Sequence, residues 1–174
     1  MVSCNQSQEP INDLPLDELR VLAEQGDAEA EFNLAMMCAT SEGVAQDNAE
    51  AARWFRLAAD QGHREAQFEV GTIYDFGHGV PVDRSETFRW YRLAADQGDA
   101  AAQFILGNMY SDGRGVPKDN VEAHMWFILA SGQSTGEERE TAVETRDAAA
   151  QRMTSGQIAE SRRRAREWRA GTVR

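Results

Sequence analysis

The chain has 174 residues, 41% hydrophobic and 27% charged, a soluble globular balance that needs neither metal nor disulfide to fold. Its formal charge of −11 is uneven: from residue 151 onward seven arginines stand against two glutamates, and the first 150 residues carry −16. A body so acidic argues against nucleic-acid partners and against anionic membrane surfaces, and no apolar run reaches the length of a membrane span. The two cysteines, Cys4 and Cys38, read as free thiols.

Residues 1–14 read as a polar tail. Its start, MVSCNQSQEP, has no apolar h-region, so the chain as written reads as cytoplasmic. Val2-Ser3-Cys4 resembles the lipid-attachment box of bacterial lipoproteins, which leaves a periplasmic or lipid-anchored alternative if the true start lies upstream. Residues 15–26 read as one helix ending at Gly26, with Pro15 suited to its first helical position.

Three stretches then superpose without gaps at a spacing of 36 residues, starting at Ala23, Ala59 and Ala95. Gly26/Gly62/Gly98, Phe32/Phe68/Phe104, Gly43/Gly79/Gly115, Asp47/Asp83/Asp119 and Trp54/Trp90/Trp126 recur in register. The units are taken as 27–62, 63–98 and 99–131, each predicted to be two helices. Ala30, Leu34, Met37 and Cys38 share one face of the first helix, and so do their counterparts in the other units. Ala35, Gly71 and Gly107 keep one position small, which predicts a close helix neighbour there, since a mid-helix glycine costs about 1 kcal/mol. Asp47, Asp83 and Asp119 start the second helices, each with a glutamate three residues on, the capping-box pattern. The buried face of the first of these helices is Ala51, Trp54, Phe55 and Ala58. After Ala130 the period is lost. Residues 132–174 are expected to be a polar linker and two capping helices, the last opened by the box Thr154-Ser155-Gly156-Gln157.

Ala102 to Tyr110, Gly113 to Asp119 and Ala123 to Ser131 together resemble the Sel1-like repeat, a relative of the tetratricopeptide repeat. The resemblance covers about residues 15 to 131. The first unit departs most, with Cys38, Ser41 and Ala45 at positions of the motif tyrosine, glycine and proline. The resemblance implies an all-α fold: a right-handed α-solenoid of antiparallel helix pairs with first helices lining the concave side. It also implies an adaptor that binds a protein or peptide.

Enzymatic readings are weak. The loop YSDGRGVPKD has the glycines of a phosphate cradle, but a helix precedes it and Asp119 fills the next helix start. Gly132-Gln133-Ser134-Thr135-Gly136 matches a nucleophile elbow, yet no strand precedes it and no histidine follows Ser134. His63, His78 and His124 have no metal-ligand spacing and read as surface or rim residues. The arginines at 162, 163, 164, 166 and 169 read as a solvated face that partly pairs with the acidic array. No catalytic, cofactor or metal residue is expected. The alternatives are a hydrolase like the cysteine-rich Sel1-like proteins associated with β-lactams, which this chain resembles weakly, and an envelope lipoprotein adaptor.

The positions the repeat leaves unfixed are the candidate partner site. They form a stripe on each first helix: Glu29, Asn33, Met36 and Thr40; Glu65, Glu69, Thr72 and Phe76; Ala101, Ile105, Asn108 and Asp112. Repeated positions hold a solenoid together, so unfixed ones are free to specify a partner. Met36, Phe76 and Ile105 would be its apolar anchors.

Overall fold

The computed structural model describes residues 14–40 and 46–172, and among these it contains nine helices and no strand. They are α1 (Leu16–Glu24), α2 (Ala28–Thr40), α3 (Asn48–Asp60), α4 (Arg64–Phe76), α5 (Arg84–Asp96), α6 (Ala100–Asp112), α7 (Asn120–Gln133), α8 (Gly136–Ala150) and α9 (Ser155–Thr172). Cys4, the rest of the N-terminal tail to residue 13, and Ser41, Gly43 and Ala45 of the first loop lie outside the described residues.

The tightest packing joins α2 to α3, α4 to α5 and α6 to α7, and each pair then stacks on the next. The result is an α-solenoid with two rows. One row holds α2, α4, α6 and α8; the other holds α1, α3, α5, α7 and α9. The repeated tryptophans and their aromatic neighbours fill the space between them. Trp90, Tyr91, Trp126 and Phe127 are each at most 1% exposed.

The small position of the first helix does what its recurrence predicts. A Cβ on Gly71 would lie 2.7 Å from the Tyr91 ring, and one on Gly107 would lie 2.4 Å from the Phe127 ring. The aromatic residue of the second helix therefore sits directly on the backbone of the first. In the loops, Gly79 and Gly115 have φ of +79° and +74°. A side chain at Gly115 would also meet the backbone oxygen of Arg84 at 2.9 Å. The loop glycine thus serves both a left-handed turn and close stacking on the previous repeat.

Helix ends follow one scheme. Gly26, Gly62 and Gly98 take positive φ, and the residue after each donates its N–H to a carbonyl in the last helical turn, a Schellman arrangement. That same next residue caps the following helix. Asp27 accepts from the Ala30 N–H at 2.9 Å and Asp99 from that of Ala102 at 2.8 Å. In the middle repeat His63 takes the role, its Nδ1 accepting from the Ala66 N–H at 3.2 Å.

The second helices are capped by aspartate as expected, with Asp83 Oδ1 accepting from the N–H groups of Ser85 and Glu86 at 2.9 and 3.1 Å. The reciprocal half of the box does not form. The N–H of Asp83 instead donates to the carbonyl of Tyr74, and Asp47 and Asp119 do likewise with Cys38 and Tyr110. The freed glutamate accepts from the indole one turn on: Trp90 Nε1 donates to Glu86 Oε2 at 2.9 Å and Trp54 Nε1 to Glu50 Oε1 at 3.3 Å. The box at Thr154 does close, through Gln157 Oε1 and the Gln157 N–H. Pro15 is the residue before α1, one place earlier than expected.

The C-terminal segment also differs from expectation. Gly132 and Gln133 complete α7, so the polar linker shortens to Ser134 and Thr135. The α8 and α9 helices hold the places of a fourth pair, but each packs on α7 and contact between them is slight. Several side chains draw α9 onto α7. Trp168 packs edge-on against Trp126, Arg164 pairs with Glu122, and Ser161 meets His124 at 2.7 Å.

Candidate functional site

The successive first helices touch through their starts. His63 Nε2 lies 3.1 Å from Glu29 Oε2, the His63 ring stacks on Phe32 at 4.6 Å, and Arg64 lies 4.0 Å from Asp99. The unfixed stripes of α2, α4 and α6 therefore run side by side.

The stripe residues are not equivalent. Glu29, Met36, Thr40, Phe76, Ala101 and Asp112 are exposed, with Phe76 the most open large apolar residue described, at 65%. Asn33, Glu65, Glu69, Thr72, Ile105 and Asn108 are half-buried. Several already have partners within the chain. Thr72 Oγ1 is 3.0 Å from the Tyr91 hydroxyl, Glu65 pairs with Arg64, and the Thr40 hydroxyl donates to Met36 O at 2.9 Å. Burial, and then the charge of Asp99, hold the Glu69 carboxyl above the usual range.

Ile105 differs from the open anchor expected of it: it packs on the core beside Leu106 and Met109. Its free side forms the wall of a cavity of about 310 Å³ where α6 faces α8, lined by Ala101, Phe104 and Ile105 and by Glu138, Thr141 and Ala142. Asn108 borders a smaller one of about 100 Å³, with Ser111, Thr145 and Arg152. No repeat position marks α8 as this wall, because α8 lies beyond the last repeat.

Charge divides by row. Helices α2, α4 and α6 carry Glu29, Glu31, Glu65, Glu69, Asp75 and Asp112 against one cation, Arg64. In the other row several arginines lie on the tryptophans, while Arg84 on α5 pairs with Asp75 on α4. Arg56 stands over Trp90 at 4.8 Å and Arg92 over Trp126 at 5.1 Å, and both pair with an aspartate one turn on, Asp60 and Asp96.

The other candidates settle into the fold. Gly113 and Gly115 form a turn, and Asp119 accepts from the N–H groups of Val121 and Glu122 at the next helix start. The Ser134 hydroxyl donates to Ala130 O at 3.0 Å. His78 is exposed beside Phe76, but His124 is not a rim residue: it is 2% exposed, because α9 covers it. Its register-mates Ala52 and Phe88 are apolar, a clue the alignment already held. Of the arginine run, Arg163 pairs with Glu160 and Glu167 on α9 itself, while Arg164 reaches across to Glu122. The two arginines hold the Glu160 carboxyl down to about 2. Among the described residues no cluster of histidine, cysteine and carboxylate side chains could hold a metal, and no helix is long and apolar enough to cross a membrane.

The Sel1 repeat family matches residues 28–63, 64–99 and 100–134. A Sel1 repeat protein from Oxalobacter formigenes is 36% identical over 74% of this chain and 97% of its own, with a TM-score of 0.68. A protective antigen of uropathogenic Escherichia coli strains, c5321, displays an SLR fold. It is 28% identical over 88% of this chain, with a TM-score of 0.64, and this chain spans 40% of its length. No curated protein matches the sequence. Sel1 repeats generally mediate protein–protein interaction and form scaffolds that are not typically enzymatic. Three matched repeats cover more than half of the residues, and the chain belongs to the Sel1 repeat family.

Proposed function

We propose that the chain is a non-enzymatic adaptor that holds a protein or peptide along the face built by α2, α4 and α6. The observation that carries this reading is Phe76, 65% exposed at the end of α4 on a face that stacking leaves open. A large aromatic in that position serves as an anchor for a partner. Met36, 37% exposed, adds a second apolar contact one repeat earlier on the same row. Ile105 contributes as a cavity wall.

The double variant Phe76→Ala, Met36→Ala removes both exposed anchors and leaves the core intact. Its helicity and melting stay at the wild-type level, while partner recovery in a pull-down from the native cell falls severalfold. Unchanged recovery overturns the assignment of this face.

A further inference from the structure

We propose that the partner segment is cationic and carries one large apolar side chain, which seats in the cavity between α6 and α8. This inference rests on the adaptor reading and narrows it to one chemistry.

Charge complementarity selects the partner. The described parts of α2, α4 and α6 hold six carboxylates and a single arginine, and that arginine is already taken by Glu65 and Asp99. Asp75 is taken by Arg84 and Arg114, and Glu31 is buried against Gln61. But Arg56 and Arg92 of the opposite row are held on tryptophans and by Asp60 and Asp96, so Glu29, Glu65, Glu69 and Asp112 keep this face acidic. Glu69 and Asp99 repel each other across α4 and α6. A lysine or arginine placed beside Glu69 relieves that repulsion. An acidic segment meets only like charge, which costs affinity and slows association.

The cavity selects the anchor. Its volume of about 310 Å³ and its walls of Ala101, Phe104, Ile105 and Ala142 suit one large aromatic or aliphatic side chain. Glu138 stands at its rim, so a cation next to the anchor finds a carboxylate there as well. The chain's own α9 docks on α7 with the same pairing of basic and aromatic groups. Arg164 meets Glu122, and Trp168 meets both Trp126 and, through its indole N–H at 3.2 Å, Asp96.

The test is selection of a random peptide library on the full chain at low salt, followed by fluorescence anisotropy on the enriched peptides. The enriched peptides are expected to be net positive with a large apolar residue. Replacing that residue by alanine weakens binding about tenfold or more, as for an anchor in a pocket. Ala101→Trp fills the cavity from an exposed position and weakens binding to a similar degree. Glu65→Gln with Glu69→Gln weakens it and flattens its salt dependence. Acidic or neutral enriched peptides, equal affinity for Ala101→Trp, or no enrichment overturns the proposal. So does self-association of the chain that Ala101→Trp abolishes, which makes a second copy the occupant. Partner recovery with the Phe76/Met36 variant reports separately on the adaptor reading, which survives any of these results if that recovery falls.

Discussion

Helices α5 and α7 hold the same place in consecutive repeats, yet they meet different surroundings. On α5 the outward positions are Phe88, Arg89, Arg92 and Leu93, and Leu93 is 38% exposed. On α7 the same positions are His124, Met125, Ile128 and Leu129, and Leu129 is 1% exposed. Two arginines have become apolar because α8 and α9 cover α7, where α5 still faces water. Where a repeat agrees with its neighbours it builds the stack. Where it departs from them it marks what lies against it.

The largest way to break this comparison is at the shared tryptophan. Trp90→Ala and Trp126→Ala each remove a side chain at most 1% exposed, and each should cost about 3–5 kcal/mol. Trp126→Ala should cost more than Trp90→Ala in urea unfolding, because it also removes the floor under Trp168 and loosens α9. Equal losses would mean that the Trp126–Trp168 contact adds nothing net, and a wild-type curve for either would refute the packing.

The next effect concerns the small position. Gly107→Ala gains about 1 kcal/mol of helix propensity. It also places a methyl group 2.4 Å from the buried Phe127 ring. Crowding should win, with a net loss of about 1–3 kcal/mol in thermal or urea melting. A gain in stability would show that the ring moves aside without cost.

These residues show how much the sequence could tell. Periodicity located the helix pairs, the aspartate caps, the glycine turns and the tight approach at Gly71 and Gly107, because those depend on local geometry repeated three times. The partners of polar groups were harder to read. Aspartate followed by glutamate suggests a closed box, but the cap N–H is satisfied by the preceding helix, which frees Glu86 for Trp90. His124 was legible in principle, since its register-mates are apolar, yet only the docking of α9 shows why it is buried. The stripe on the first helices could be located, but not the α8 wall, because α8 has no earlier copy to compare with.

A smaller effect separates the two tryptophans by their indole N–H. Trp90 donates to Glu86 at 2.9 Å. In the third repeat Glu122 is drawn off by Arg164, and the buried Trp126 Nε1 has no hydrogen-bond partner. Tryptophan to phenylalanine keeps a ring at both sites: Trp90→Phe loses the bond to Glu86, while Trp126→Phe loses no indole bond and only trims the edge contact with Trp168. Trp90→Phe should cost about 1 kcal/mol more than Trp126→Phe. Equal costs would show that the indole bond to glutamate contributes nothing net.

The smallest expected effect is a slope with pH, and it again contrasts Phe88 with His124. Burial first, and then the charges of Arg162 and Arg146, hold the His124 ring below its ordinary value of about 6.5, against a weaker opposite pull from Asp147. The unfolded chain therefore takes up a proton at this residue before the folded chain does, and the folded state loses stability as pH falls. The contribution is complete above about pH 6.5 and is lost as pH drops through the depressed folded value. His124→Phe installs the residue found on α5 and removes this proton, while the carboxylates that titrate in the same range are common to both proteins. The difference in melting temperature between variant and wild type should therefore widen in favour of the variant below pH 6.5. A difference that stays constant with pH would mean that the proton enters the folded ring as easily as the unfolded one, and that α9 does not seal it from water.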